Sequence, residues 1–142
     1  MLGRLLQGPL RELTAELNLL MAAEGFADLR PAHSVVFMNL DSEGTRISDL
    51  AERAQITKQS MGALVSYLEK RGYVSVSPDP RDHRAKLVRR TEKGLANEVP
   101  ARRNVARITE RWARLLDDGE MEELVRLLRK LDDRLHNERQ LT

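Results

Sequence analysis

The 142-residue sequence predicts a mainly α-helical fold of the α+β class, for three reasons. Apolar residues recur at helical spacing along most of the chain, two Val- and Ser-containing segments flank one polar turn, and leucine stripes lie near both ends. A chain of this length is expected to form a single domain over residues 1–142. Within it we expect terminal helices at about 1–24 and 117–142, a central region at about 31–92 and a connecting helix at about 92–116.

Each terminal helix carries a stripe of leucines with alternating spacings of three and four residues. This spacing forms a continuous apolar edge of the coiled-coil type, which a helix must bury against another surface. A second copy of the chain is the simplest partner, so the stripes are interpreted as dimerisation surfaces. Their members are Leu6, Leu10, Leu13, Leu17 and Leu20 at one end, and Leu124, Leu128, Leu131 and Leu135 at the other.

The central region begins with a predicted helix over 32–40 and continues as a helix-turn-helix. Residues 47–54 predict a short helix with Ser48 as its N-cap, and a second helix starts at Thr57. A glycine, Gly72, ends this second helix. Its apolar residues, spaced i, i+3, i+4 and i+7 on one buried face, are Met61, Leu64, Val65 and Leu68.

The other face of the second helix carries short or polar side chains that fit a DNA major groove. Gln59 is the best candidate for reading a base, because its amide can bond N6 and N7 of adenine together. Thr57 and Ser60 carry hydroxyls that bond phosphates or base edges, and Lys58 adds charge near the helix N-terminus. Ser66 lies on the same face. The alternative is that Lys58 and Gln59 are ordinary solvated surface.

Residues 72–90 predict a β-hairpin with a basic tip. The turn at 78–84 concentrates Pro, Asp and charge, which is typical of a solvated loop. Residues 79–90 contain five Arg or Lys against two Asp, a net charge of +3, whereas the whole chain sums to +2. This local charge favours a polyanionic partner, and the alternative is a solvated hairpin tip. The residues expected at the contact are Arg81, Asp82, His83, Arg84 and Lys86.

This arrangement resembles the MarR family of bacterial transcriptional regulators over nearly the whole chain. The resemblance rests on the helix-turn-helix and on the segments 68–74, 79–84 and 91–94. It implies a winged helix-turn-helix fold and a homodimer that binds a palindromic double-stranded DNA operator, with a recognition helix in each major groove and a wing in each minor groove. It also implies that Arg84 enters the minor groove while Asp82 holds its guanidinium group.

Three positions depart from the family pattern and define an alternative function. Ala63 and Ser66 stand where relatives often carry charged residues, and Val76 stands where the first wing strand is often basic. Fewer phosphate contacts weaken DNA binding and flatten its salt dependence. The alternative is therefore a winged-helix protein-interaction or anti-regulatory relative with weak or no DNA binding.

The resemblance further implies a small-molecule site between the first helix, the 32–40 helix and the connecting helix. His33, Phe37 and Trp112 would line this site, and its ligand would be a phenolic or anionic effector. The main prediction is a homodimeric repressor that the effector releases from its operator. For His33 the alternative is a buried histidine that is satisfied by its neighbours.

Composition and motifs exclude several other classes of function. The chain has no cysteine, which rules out disulfides and thiol chemistry, and its three histidines lack metal-ligand spacing. Neither a paired nucleophile and base nor a glycine-rich phosphate loop is present, so we expect no enzyme activity and no cofactor. No apolar stretch reaches the length of a membrane span and no secretory cleavage site is visible, so a cytoplasmic location is expected.

Overall fold

The structure is a computed structural model that describes residues 1–141. Within these residues it contains seven helices and a three-stranded antiparallel sheet, which confirms the predicted fold class. The elements in chain order are α1 (Leu2–Ala23), α2 (Pro31–Asn39), β1 (Thr45–Arg46), α3 (Ile47–Ala54), α4 (Lys58–Lys70), β2 (Val74–Asp79), β3 (Asp82–Arg90), α5 (Glu92–Ala96), α6 (Glu98–Ala113) and α7 (Glu120–Gln140).

The chain divides into two compact units, Met1–Asn104 and a second that begins at Val105. The first unit contains α1 to α5, the sheet and the start of α6, and the second contains the rest of α6 with α7. The division falls inside α6, whereas the sequence interpretation treated the chain as a single domain.

The core of the first unit forms where α2, α3, α4 and the sheet meet. The predicted apolar face of α4 is confirmed, since three of its four residues are buried and Leu64 packs against them. This packing fixes which side of α4 remains in solvent. The buried cluster comprises Val36, Leu40, Leu50, Ala51, Met61, Val65, Leu68, Tyr73, Val74 and Val88.

The prediction that Ser48 caps α3 is wrong. Arg46 is the N-cap. The same residue is the last of β1, where it pairs with Leu87 of β3. The chain therefore passes from strand to helix without a loop, and Ser48 lies exposed in the first turn of α3. A two-residue strand carries no periodic pattern, so the sequence did not predict β1.

Both ends of α4 agree with the sequence prediction. At its start the Thr57 hydroxyl accepts a hydrogen bond from the Ser60 amide at 3.0 Å. At its end Gly72 has a φ of 80°, a left-handed conformation that glycine adopts without strain. The Tyr73 amide then donates to the Leu68 carbonyl at 2.9 Å, the closing bond of a Schellman turn, and the chain enters β2 directly.

The β2–β3 hairpin, called the wing below, has a shorter turn than predicted. β3 lies between β1 and β2 in the sheet, and both pairings are antiparallel. The predicted long turn over 78–84 is wrong, because the Asp79 carboxylate accepts the Arg81 amide at 2.9 Å and closes the turn early. As a result, Arg84, which was expected in the turn, lies on β3 itself.

The predicted connecting helix is divided in two, α5 and α6. The break expected at Pro100 lies at Asn97, and Pro100 occupies the first turn of α6, where its missing N–H is not needed. The buried Asn97 side chain donates to the Gly94 carbonyl at 2.7 Å and so closes the end of α5. The helical segment ends at Ala113, before the predicted limit near 116.

The leucine stripes of α1 and α7 lie at the surface of one protomer. Leu6 and Leu10 of α1 are exposed, and the other members of that stripe are half-buried. A regular row of exposed leucines is typical of a surface that another molecule covers, and the dimerisation role stays a prediction. The exposed members on α7, between 41% and 48% accessible, are Leu124, Leu128, Leu131 and Leu135.

No helix within residues 1–141 is long and apolar enough to cross a membrane.

Candidate nucleic-acid interface

One face of α4 presents a row of small and polar side chains to solvent. Lys58, Gln59 and Ser66 are exposed, and Gln59 and Ser66 lie on the side of the helix away from the buried Met61 and Val65. None of the three exposed side chains is bulky. This surface can therefore approach base edges in a major groove without steric conflict.

The hydroxyls of Thr57 and Ser60 cap α4. The Thr57 hydroxyl accepts from the Ser60 amide and donates to the Ser60 hydroxyl at 2.8 Å. The sequence interpretation had assigned both side chains to DNA contact. Both are exposed, but their pairing also gives them a structural role in starting the helix. The cap fixes where the helix starts and hence the direction in which Lys58 and Gln59 point.

The tip of the wing carries an oriented arginine. The Arg84 side chain is 93% exposed, and its Nε atom lies 3.2 Å from Oδ1 of Asp82, as the resemblance implied. The same carboxylate oxygen accepts the Arg84 amide at 3.2 Å. An exposed pair of this kind adds little to stability, so its effect is to hold the guanidinium group in one direction. The neighbouring predicted contacts Arg81, His83 and Lys86 are also exposed.

Asp79 links the wing to the start of α3, a contact that the sequence interpretation missed. Its side chain is only 8% exposed, and its carboxylate accepts from the Arg81 amide at 2.9 Å and from Nε of Arg46 at 2.7 Å. The Arg81 bond, followed by the Arg46 bond, holds the pKa of Asp79 below its usual range. Because 33 positions separate Arg46 from Asp79, no local pattern connects them.

A cleft between the wing and the helix-turn-helix collects four basic residues, and it is called the basic cleft below. It has a volume of about 240 Å³, and none of the residues lining it is acidic. α3, α4 and β3 each contribute to it, so the cleft joins the start of the recognition helix to the wing. Its lining residues are Arg46, Ile47, Ser48, Lys58, Arg84, Ala85 and Lys86.

The comparison with known proteins agrees with this geometry. Residues 27–85 match the MarR family. The match spans 59 of the 142 residues, from α2 to the first part of β3, so the chain is similar to the MarR family over that segment. Among solved structures, BpsR of Bordetella bronchiseptica is 26% identical, with a TM-score of 0.72 over 92% of this chain and 98% of BpsR. A mutant of MarR from E. coli has a TM-score of 0.74 over 92% of this chain and 96% of that protein; at 22% identity it supports the fold alone.

A curated relative is similar to this chain over a short stretch of sequence. The transcriptional activatory protein BadR of Rhodopseudomonas palustris is 36% identical over 53 residues, which is 37% of this chain. The matched stretch covers 30% of BadR. The likeness therefore concerns a part of each chain only.

Val76, which departs from the family pattern, and Arg90, a charged residue within a strand, both have structural roles. Val76 lies opposite Val88 in the sheet and packs against the core, so its side chain is part of the hydrophobic interior. Arg90 donates from Nη2 to the Phe37 carbonyl near the end of α2, and its guanidinium lies 5.8 Å from the centre of the Phe37 ring. Both residues therefore support the fold, and Arg90 adds a second hydrogen bond to a carbonyl that the Leu40 amide reaches only at 3.4 Å.

The three residues predicted to line an effector site, His33, Phe37 and Trp112, have different environments. His33 is buried, its Nδ1 accepts the Arg30 amide at 2.8 Å, and its ring stacks on Tyr67 at a centroid distance of 4.3 Å. This matches the alternative of a satisfied core histidine, whereas effector binding stays a prediction. Phe37 packs edge-on against Tyr73, and Trp112 belongs to the second unit.

Residues 1–141 contain no cluster of three or more His, Cys, Asp or Glu side chains that could hold a metal ion.

We expect His33 to make the protein less stable in mild acid. Burial, followed by the charges of Arg71 and Arg30, lowers the pKa of His33 below 6.5 in the folded state. A lowered pKa means that the unfolded chain takes up the proton first, so stability is lost as the pH falls from 6.5 through the folded pKa. Thermal unfolding at pH 7.5, 6.0 and 5.0 measures this loss.

The matched control is His33→Gln. Glutamine at the third helical position also reaches back to the N-cap amide, but it does not titrate. The variant loses the ring stacking on Tyr67 and so starts less stable at pH 7.5, but its stability should fall less than that of the native protein between pH 7.5 and pH 5.0. Equal losses in the two proteins would assign the acid sensitivity to other groups.

Proposed function

We propose that the protein is a homodimeric transcriptional regulator that binds a specific double-stranded DNA sequence. The observation that carries this proposal is the basic cleft, since it joins the exposed face of α4 to the oriented Arg84 of the wing. A helix and a basic hairpin presented side by side match the way a winged helix reads two neighbouring grooves. The match of residues 27–85 to the MarR family supports the same function.

In the proposed complex α4 enters the major groove and the wing enters the adjacent minor groove. Gln59 reads an adenine, while Lys58 contacts the backbone. Arg84 lies in the minor groove, where narrow A·T-rich segments have strong negative potential and favour an inserted arginine. Asp82 limits the directions available to Arg84, so less entropy is lost when the DNA binds.

A two-fold dimer is the proposed assembly. The exposed leucine rows of α1 and α7 are the surfaces that would be buried between protomers. Two-fold symmetry predicts a palindromic operator with half-sites about one helical turn apart, roughly 34–36 Å.

We further propose that a small phenolic or anionic effector releases the operator and relieves repression. The support is BpsR, whose DNA binding is regulated by 6-hydroxynicotinic acid, an aromatic acid with a hydroxyl group. An effector lowers operator affinity only as far as it prefers the protomer spacing that does not fit DNA. BadR is described as a transcriptional activatory protein. Measuring transcription with and without the operator therefore distinguishes repression from activation.

A second candidate function is protein interaction through a winged helix that binds DNA weakly. The observation that favours it is the absence of charge at Ala63 and Ser66, both exposed on α4. With fewer phosphate contacts, binding has a shallower salt dependence than that of a more basic relative.

Selection of bound duplexes from a random DNA pool tests these alternatives. The regulator proposal predicts a palindrome, and affinities for the selected duplex measured across a salt series should far exceed those for unrelated duplexes. Recovery of no common sequence, with only weak binding to every duplex and a shallow salt dependence, would favour the protein-interaction function. The selected operator then serves to screen aromatic acids for release.

Arg84→Ala is expected to lower operator affinity by about 1–3 kcal/mol while the dimer and the fold stay intact. The side chain is almost fully exposed, so its removal leaves no cavity. Fluorescence anisotropy at fixed salt measures the loss. Arg84→Lys is the control: it keeps the charge but not the planar fork, so it should recover only part of the affinity. Equal affinity of native protein and Arg84→Ala would contradict the wing assignment.

A further inference from the structure

The basic cleft lies where one strand of the DNA backbone has to pass, if the proposed function holds. In B-DNA a sugar-phosphate strand separates each major groove from the neighbouring minor groove. A protein with α4 in the major groove and the wing in the minor groove therefore straddles one such strand. The start of α4 and the wing both line the basic cleft. We propose that this cleft binds the straddled backbone, and that Arg46, oriented by the buried Asp79, is one of its phosphate-binding residues.

The charges of the cleft fit a phosphate. Arg46, Lys58, Arg84 and Lys86 line it, and phosphate contacts are made mainly by such side chains. Its volume of about 240 Å³ is several times the roughly 30 Å³ of one water, which leaves room for a phosphate group with bridging water. Arg46 and Ser48 enter the interface through this cleft, although neither carries a DNA-binding signal in the sequence.

The contact with Asp79 leaves Arg46 able to bind an anion. Arg46 bonds Asp79 through Nε, and within residues 1–141 no hydrogen bond from its Nη atoms to protein is found. The side chain is 36% exposed, whereas that of Asp79 is 8% exposed. The carboxylate is thus largely withdrawn from solvent, whereas a substantial part of the Arg46 side chain remains exposed to it. Guanidinium groups bind phosphate in this divided way, with one edge held by protein and another free for the ligand.

Asp79 acts as a positioning residue in this proposal. Its two hydrogen bonds join the Arg81 amide in the wing turn to Arg46 at the start of α3. One carboxylate therefore sets both the direction of Arg46 and the place of the wing tip relative to the helix-turn-helix. An acidic residue near a DNA surface normally opposes binding, so a gain in affinity through Asp79 must come from this orientation.

Arg46→Gln tests the phosphate contact. The probe is a random-sequence duplex of about 30 base pairs, because a backbone contact does not depend on sequence. The slope of log Kobs against log salt should become shallower by about 0.9 per protomer, with a similar loss of affinity on every duplex. Arg102→Gln is the matched control, since Arg102 is an exposed arginine of α6 paired with Glu98, and it should leave the slope unchanged.

Asp79→Asn separates orientation from charge. The substitution removes a negative charge, so if only summed charge mattered, the variant would bind DNA more tightly. The proposed orientation of Arg46 predicts weaker binding instead, and it predicts no further loss when Asp79→Asn is added to Arg46→Gln. Arg46→Gln alone leaves the buried Asp79 carboxylate without its partner and can be unstable for that reason. The double variant replaces the ion pair by two amides, so no unpaired charge is buried and the comparison can still be made.

The outcomes distinguish this proposal from the proposed function. A native protein that binds no duplex at any salt concentration refutes the proposed function and this inference with it. A native protein that binds duplexes with the same salt slope as a folded Arg46→Gln variant refutes the phosphate contact alone. Tighter binding by Asp79→Asn refutes the positioning role. A shallower slope for Arg46→Gln together with weaker binding by Asp79→Asn supports the proposal.

Discussion

Replacing Gly94 by alanine is expected to lower the free energy of unfolding by about 3 kcal/mol, at the upper end of the usual range for overpacking. An ideal Cβ at this position would lie far inside van der Waals contact with the Tyr73 carbonyl oxygen and 3.2 Å from the carbonyl carbon. That carbonyl is fixed, because it accepts the Thr91 amide at 3.2 Å and belongs to a fully buried tyrosine. The added methyl group therefore has to displace α5 from the sheet.

The matched control is Gly62→Ala. Gly62 also lies within a helix of the first unit, but nothing lies within 4 Å of an added Cβ there. Alanine should raise stability by about 0.5–1 kcal/mol at that position, because glycine is the weaker helix former. Urea unfolding at one protein concentration measures both variants, and the concentration must be the same because dimerisation shifts apparent stability. A Gly94→Ala variant with the native midpoint would contradict the close packing of α5 on Tyr73.

The helix-turn-helix was predictable because its signals are local. The apolar face of α4 repeats every three or four residues, and the Thr57 cap and Gly72 mark its ends within the same short segment. The wing strands alternate less regularly, yet the charge between them identified the basic tip. Each of these features depends on neighbours a few positions away in the chain, which a single sequence displays directly.

Contacts between distant segments were not predictable in the same way. Asp79 looked like one more charge of a solvated turn, and its burial depends on Arg46, which β1 brings next to the wing. His33 had no visible partner because its stacking on Tyr67 joins two helices. The tight fit of Gly94 likewise depends on a carbonyl of another element. In all three cases the sequence identified the residue type, and the tertiary fold supplied its neighbour.

Leu131→Asp is expected to convert the proposed dimer to a monomer. In one protomer Leu131 is 48% exposed, so an aspartate there meets water and costs the single chain little beyond helix propensity. Between two protomers the carboxylate would be buried without a partner, at a cost of at least about 2 kcal/mol for each of two symmetric sites. A total of about 4 kcal/mol raises the dimer dissociation constant roughly a thousandfold.

Light scattering after size-exclusion chromatography measures the mass, and Asn137→Asp is the matched control. This substitution adds the same charge to an exposed position on the opposite side of α7, so the variant should remain dimeric. The Leu131→Asp monomer retains α4 and the wing. It should therefore bind a single half-site with the per-protomer salt slope of the native protein while losing the added affinity for the palindrome. A dimeric mass for Leu131→Asp would place the interface elsewhere, and an unchanged preference for the palindrome would separate operator recognition from the α7 leucine row.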